Sequence, residues 1–127
     1  MKIFGVGTDI VSIDRIKKSI KNKRFVSRVY NAKEISKCTK IKNSHHCFAK
    51  RFAAKEAFSK ALGTGISGGI NLNEIVVKNN ISGKPYLNFE GDTKKLLKKK
   101  FKNKKIKTSL SLSDEHKYAV AFVTISL

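Results

Sequence analysis

Hydrophobic and polar positions alternate near both ends of the chain. Residues 2–13, KIFGVGTDIVSI, alternate in this way and are rich in β-branched side chains, which predicts a strand that runs into a turn. Residues 106–127 show the pattern twice and predict a closing hairpin that turns at residues 113–116. Between these ends, residues 69–79 are predicted as a strand, and residues 81–90 as a turn followed by a strand.

Helical patterns fill most of the remaining chain. Residues 14–20 predict a short helix, and residues 22–38 predict one or two more. The main helix is predicted over residues 44–62 and ends at Gly63, because glycine is typical of the position just beyond a helix C-terminus. A last helix is predicted over residues 93–102.

The order of these elements predicts an α+β fold, in which a small antiparallel or mixed sheet packs against the long central helix. With 127 residues, a single proline and no linker-like segment, the chain (1–127) is expected to form one domain. No apolar run approaches the roughly 18 to 20 residues of a membrane span, and the first residues contain no cleavage site. We therefore expect a cytoplasmic protein.

The formal net charge of +19 invites a nucleic-acid, membrane or acidic-protein partner. Lysine supplies 24 of the 28 basic residues and accompanies abundant asparagine and isoleucine, so a compositional bias explains the charge equally well. In residues 94–105, KKLLKKKFKNKK, Leu97 and Phe101 lie one helical turn apart and can pack on a core while the lysines stay in water. The charge alone does not decide between these explanations.

The two cysteines, Cys38 and Cys47, stand nine positions apart without a CxxC motif, and we expect free thiols. His45 and His46 precede Cys47 and could form a metal cluster with Cys38. The spacing fits no common zinc pattern, which favours a polar helix start.

One carboxylate falls within the apolar pattern of the first strand. Asp9 shares a strand face with apolar and small residues (Ile3, Gly5, Gly7 and Val11), and the two glycines keep that face open. A buried carboxylate needs a hydrogen-bond donor, a basic partner or a cation. A structural ion pair, a turn-capping aspartate and a ligand site all satisfy this need.

The main helix carries polar residues on a strip of small ones. A rotation of about 100° per residue places Ala49, Ala53, Glu56, Ala57 and Lys60 on one strip, where another backbone can approach closely. An exposed ion pair between Glu56 and Lys60 is the simplest explanation. The glycine-rich residues 63–69 follow the helix, unlike a P-loop, and offer backbone amides able to approach an anion.

These features together resemble the holo-acyl-carrier-protein synthase family, the small type of 4'-phosphopantetheinyl transferase. The resemblance lies in four segments spread along almost the whole chain: GVGTDIVSIDRI, RFAAKEAFSKALGTGI, SGKPYLNF and SLSLSDEHKYAVAFV. It implies a 4'-phosphopantetheinyl transferase-like fold and the Mg²⁺-dependent transfer of 4'-phosphopantetheine from coenzyme A to a serine of apo-acyl carrier protein. It also implies that adenosine 3',5'-bisphosphate is released and that the reaction supports fatty acid biosynthesis.

The resemblance also implies roles for individual residues. Asp9 and Glu56 would hold Mg²⁺ and form the catalytic pair, with Glu56 as the candidate acceptor of the serine proton. Lys55 and Lys60 would neutralise the phosphates of coenzyme A. The backbone beside them would contribute to that site, at Gly63, Thr64 and Gly65.

Partners follow from the same resemblance. A basic face on the first helix would dock the acidic carrier protein through Arg15, Lys18, Arg24 and Arg28, with Phe25 as an apolar contact. The closing strand is apolar on both faces, which predicts association, and the resemblance specifies a homotrimer. One departure concerns the terminal hairpin, where Asp114 stands in place of the histidine of many members, and His116 follows two positions later.

Two other classes of function compete with the transferase. A basic nucleic-acid-binding protein is supported by the charge alone, and the sequence lacks the aromatic platforms or recognisable helix modules of such proteins. A membrane-surface protein using residues 94–105 would need a wider apolar face than this segment has. We expect neither a nucleic-acid nor a membrane partner.

Overall fold

The computed structural model describes residues 1–63 and 68–127 of the chain. It contains five helices, a 3₁₀ turn and five strands within those residues. In chain order they are β1 (Ile3–Ser12), α1 (Ile13–Ser19), α2 (Lys23–Val29), α3 (Ala32–Thr39), α4 (Ser44–Leu62), the 3₁₀ turn (Leu72–Glu74), β2 (Ile75–Asn79), β3 (Pro85–Phe89), α5 (Gly91–Lys100), β4 (Lys107–Asp114) and β5 (Tyr118–Ser126).

The strands form two antiparallel sheets. β5 lies between β1 and β4 in a three-stranded sheet, and β2 pairs with β3 in a separate hairpin. The predicted α+β class is confirmed, and the pairing in both sheets is antiparallel. The closing hairpin turns between Asp114 and Tyr118, where the Glu115 amide donates to the Tyr118 carbonyl at 3.0 Å.

The predicted bounds of the main helix agree with α4. Gly63 adopts φ 87° at its C-terminus and donates its amide to the carbonyls of Ser59 and Lys60, so the predicted helix end at this glycine is confirmed. Most side chains of α4 are buried on all sides of the helix. The helix therefore forms the centre of the core.

The strip of small residues on α4 packs directly on β1. Ala49, Ala53 and Ala57 are fully buried, and a Cβ atom placed on Gly7 would overlap the carbonyl oxygen of Ala57. One placed on Gly5 would overlap the carbonyl oxygen of Ala61. The predicted close backbone approach is confirmed, and it brings Asp9 to the helix.

The predicted strand over residues 69–79 is wrong in its first half, since β2 begins only at Ile75. The 3₁₀ turn precedes it because the Glu74 carboxylate accepts the backbone amides of Asp92 and Thr93 at 3.0 and 3.1 Å. These bonds hold the turn against the start of α5, where orphan amides need acceptors. A period-two pattern cannot indicate such a contact between distant residues.

The expectation of free thiols is also wrong. Cys38 and Cys47 form a disulfide between the end of α3 and the first turn of α4, with their Cα atoms 5.5 Å apart. The chain folds back between these two helices, which brings cysteines nine residues apart within bridging distance. Both cysteines lie in the core.

The closing strand has two apolar faces, as predicted. Ala119, Ala121, Val123 and Ile125 are fully buried. On the opposite face Val120 and Phe122 are exposed by 36% and 45% and pair across the strands with Ile10 and Thr8. Val6 and Tyr118 extend this exposed face, so an apolar surface covers the outer side of β1 and β5.

Candidate active site

Asp9 and Glu56 lie together where β1 crosses α4. The Lys60 ammonium contacts Asp9 Oδ1 at 3.1 Å and donates to the Thr8 carbonyl at 3.0 Å. Asp9 therefore has the basic partner that its position requires. Among the described residues, no ion pair within 4.0 Å joins Lys60 to Glu56, so the predicted exposed pair along the helix is wrong.

The pKa of the Glu56 carboxyl is shifted by the groups around it. Partial burial raises the pKa of the Glu56 carboxyl above its ordinary value, and the Asp9 carboxylate beside it raises the pKa further. Lys60 and Arg15 act in the opposite direction more weakly. Two carboxylates with incomplete compensation form a site that favours an added positive charge.

Lys55 does not take the role that the resemblance implied. Its side chain is fully buried and its ammonium contacts Glu34 Oε1 at 2.7 Å, the Leu72 carbonyl at 2.9 Å and the Ile75 carbonyl. Successive helical residues point about 100° apart, so Glu56 faces the site while Lys55 points into the interior. The expectation that Lys55 neutralises phosphates is therefore corrected.

A cavity of about 770 Å³ opens beside Glu56. Three of the predicted docking residues on α2 line it, namely Arg24, Phe25 and Arg28. Phe52 of α4 also lines it, and its ring centroid lies 5.9 Å from that of Phe25. Residues 70–74 form another part of its wall.

The predicted docking residues lie on two helices instead of one. Arg15 and Lys18 are exposed on α1, whereas Arg24, Phe25 and Arg28 belong to α2. The break falls at Asn22, whose side chain caps α2 by accepting the amides of Arg24 and Phe25. Arg15 is close enough to lower the pKa of Glu56, which places the basic face beside the carboxylate site.

The predicted glycine contacts are only partly described. The Gly63 amide donates to carbonyls of α4, so it is not a free donor for a ligand. The space beside its Cα atom is open. Thr64 and Gly65 lie outside the described residues, and their predicted contacts with phosphate stay predictions.

The terminal hairpin joins the start of α4 through Asp114. Its carboxylate contacts His46 Nδ1 at 2.7 Å and the Lys50 ammonium at 3.4 Å. His46 and Lys50 together hold the pKa of Asp114 below its ordinary value, against the effect of burial. Cys47 is in the disulfide, His46 contacts Asp114, and α4 begins at Ser44, so HHC lies in the first turn of α4.

Comparison with known proteins identifies the class of transferase to which this fold belongs. The chain belongs to the 4'-phosphopantetheinyl transferase superfamily, whose model matches residues 5–123. A relative called holo-[acyl-carrier-protein] synthase, from Pelagibacter ubique, is 48% identical over 125 residues, covering 98% of each chain.

Solved structures agree with this assignment. The holo-[acyl-carrier-protein] synthase of Neisseria meningitidis is similar with a TM-score of 0.85 and 35% identity, over 98% of this chain and 99% of that one. The Bacillus anthracis enzyme in complex with CoA (3',5'-ADP) is similar with a TM-score of 0.80 and 32% identity, over 98% and 97% of the two chains. Within the described part of this chain, none of the helices has the length and apolarity to cross a membrane.

Two groups of residues at the site were missed by sequence reasoning. Glu34 holds Lys55, and the segment 70–74 forms a cavity wall. A signal for Glu34 existed, because a glutamate three residues after Asn31 is typical of a helix capping box, which the structure contains. The role of the 3₁₀ turn had no local signal, since it depends on contacts with α4 and α5.

Proposed function

We propose that this chain transfers 4'-phosphopantetheine from coenzyme A to a serine hydroxyl of apo-acyl carrier protein and releases adenosine 3',5'-bisphosphate. The observation that carries the proposal is the pair Asp9 and Glu56, set beside Lys60 and the cavity lined by basic residues of α2. Relatives called holo-[acyl-carrier-protein] synthase support the same reaction. The role in fatty acid biosynthesis and a cytoplasmic location belong to this proposal.

The donor set fits Mg²⁺. Asp9 and Glu56 offer the hard carboxylate oxygens that this ion prefers. Burial and, after it, the Asp9 carboxylate raise the pKa of Glu56, and Lys60 opposes them only in part. Asp9 and Glu56 would hold the ion, which when bound supplies positive charge to the pyrophosphate of coenzyme A.

The residues of the chain then have distinct tasks. Glu56 accepts the proton of the serine hydroxyl, a task suited to a carboxylate that lines the cavity beside the proposed docking residues of α2. Lys60, whose side chain is more than half exposed, orients Asp9 and offers its remaining donor to a phosphate oxygen.

The carrier protein docks on the basic face of α1 and α2. Arg24 and Arg28 line the same cavity as Glu56, so a carrier bound there presents its serine close to the proposed base. Phe25 supplies the apolar contact at the cavity rim. Arg15 and Lys18 add charge that attracts an acidic partner and raises the rate of encounter.

The active unit is a homotrimer. The exposed apolar face of β1 and β5 is continuous across strand pairs such as Ile10 with Val120. A patch of this kind on a chain of this size is typical of a subunit interface. Coenzyme A would bind at the boundary between subunits, with three equivalent sites.

One incubation tests the function. Purified chain, coenzyme A, Mg²⁺ and an apo-acyl carrier protein are combined, and the carrier is weighed by mass spectrometry. The proposal predicts the mass increase of one phosphopantetheine group and an equal amount of adenosine 3',5'-bisphosphate. No mass change with any carrier would reject it and direct attention to nucleic-acid binding, the alternative suggested by the net charge.

A further inference from the structure

Lys55 is a buried lysine whose three N–H donors all have acceptors. A lysine ammonium has three N–H donors, and this one meets three acceptors, the Glu34 carboxylate and the carbonyls of Leu72 and Ile75. The Tyr30 ring lies over it, with its centroid 5.7 Å from Nζ. No donor remains for a phosphate, so the side chain must serve another purpose.

Glu34 connects three elements through its carboxylate. Oε1 accepts the Asn31 amide at 3.0 Å, which closes the capping box of α3, and also accepts the Lys55 ammonium. Oε2 accepts the Val77 amide at 3.0 Å in β2. α3, α4 and β2 are therefore joined at one buried ion pair.

One acceptor of Lys55 lies in the wall of the cavity that Glu56 also lines. Leu72 belongs to the 3₁₀ turn that lines the site cavity, and Ile75 begins the strand that continues from it. Glu56 lines the same cavity from α4. Because Lys55 is the neighbour of Glu56 on the helix and binds the Leu72 and Ile75 carbonyls, its bonds tie the part of α4 that carries Glu56 to the segment that lines the cavity.

We propose that Lys55 and Glu34 are a positioning pair that fixes Glu56 relative to the cavity wall at Leu72. The inference rests on the proposed function, since it assigns the pair to the alignment of the proposed base with a docked serine. A misplacement of about 1 Å costs roughly 100-fold in rate when a reaction depends on orientation. Loss of the pair therefore lowers turnover without removing any group that binds coenzyme A.

The test compares the same substitution at two lysines of α4. Lys55→Met removes the buried ammonium, and Lys60→Met removes the exposed one that is proposed to meet phosphate. Lys33→Met, on the exposed side of α3, controls for the loss of one surface charge. For each variant, urea unfolding gives stability, calorimetry gives the Kd for coenzyme A, and steady-state transfer gives kcat and the KM for carrier.

The substitutions at Lys55 and Lys60 should change different quantities, kcat in the first and the Kd for coenzyme A in the second. Lys55→Met is expected to lower kcat by about 100-fold, while its Kd for coenzyme A stays within about threefold of wild type. Lys60→Met is expected to weaken coenzyme A binding by about tenfold or more, because it removes a charged donor. Lys33→Met should match wild type.

A second variant separates positioning from stability. Lys55→Met leaves Glu34 as a lone buried charge, whereas the double variant with Glu34→Gln removes that charge and keeps one carbonyl acceptor, which can serve either the Asn31 or the Val77 amide. The double variant should recover part of the lost stability but not kcat, because the Leu72 and Ile75 carbonyls are still released from α4. It also provides a folded protein if Lys55→Met alone unfolds.

Three results would overturn the inference while wild type remains active. They are wild-type kcat in folded Lys55→Met, recovery of kcat together with stability in the double variant, and a loss of coenzyme A affinity in Lys55→Met equal to that of Lys60→Met. An inactive wild type would instead reject the proposed function.

Discussion

The closest approach between β1 and α4 makes Gly7→Ala a severe change. A Cβ atom at this position would overlap the Ala57 carbonyl oxygen and would lie 2.7 Å from the Ala61 amide nitrogen and 2.9 Å from the Ala57 carbonyl carbon. Ordinary contacts begin at 3.4 Å. All three atoms belong to the helix backbone, so no rotamer change relieves the overlap and the strand must move by about 1 Å or more.

This displacement has two measurable consequences. Overpacking of this kind costs about 1 to 3 kcal/mol of unfolding free energy, and a backbone clash belongs at the upper end of that range. Asp9 lies two residues further along β1, so the same movement separates it from Glu56 and is expected to lower kcat/KM by roughly 100-fold. Urea unfolding and the transfer assay measure these effects separately.

The matched control adds a methyl group where the chain has room. Ser36 is exposed on α3, and Ser36→Thr should change the unfolding free energy by less than about 0.5 kcal/mol and leave kcat/KM at the wild-type value. If Gly7→Ala unfolded at the same urea concentration as this control and kept its activity, the close packing of β1 on α4 would be refuted.

Three further predictions concern the site and its partners. Asp9→Asn and Glu56→Gln should each abolish Mg²⁺-dependent transfer and leave the fold intact by circular dichroism. Without metal, Glu56→Gln should keep or raise the free energy of unfolding, because it removes a carboxylate repelled by Asp9. Lys18→Glu should raise the KM for carrier protein several-fold and leave the KM for coenzyme A unchanged, since Lys18 does not line the cavity. Phe122→Glu should convert the proposed trimer into a monomer in sedimentation equilibrium, because it places a charge in the apolar face.

Opposite results would contradict each of these predictions. Wild-type turnover in either carboxylate variant would reject the metal and base assignments. Equal changes in the two KM values for Lys18→Glu would argue against docking on α1. A wild-type chain that is monomeric and fully active would remove the subunit boundary from the account.

Local patterns predicted the parts of the fold that depend on local forces. The bounds of α4 follow from a helical segment and a glycine that ends it, and the alternation in β1 placed Gly7 and Asp9 on the face toward the helix. Spacing also placed Glu56 and Lys60 near one another. These predictions required only the periodicity of helices and strands and the sizes of the side chains.

Contacts between distant residues account for what the sequence could not predict. Periodicity places Lys55 about 100° from Glu56 on the helix. It does not indicate that Glu34, 21 residues earlier, contacts Lys55 in the core. The disulfide depends in the same way on how α3 folds back onto α4. Family motifs point to Lys55 as a functional residue, and its burial changes what that function is.

In the proposed mechanism, Glu56 serves transfer from coenzyme A to a carrier protein. The most direct measurement is the mass of an apo-acyl carrier protein after incubation with coenzyme A, Mg²⁺ and either wild-type chain or Glu56→Gln at equal concentration. Our account predicts one added phosphopantetheine group with wild type and an unchanged carrier with the variant. An unchanged carrier with both proteins, or the same rate of modification with both, would contradict it.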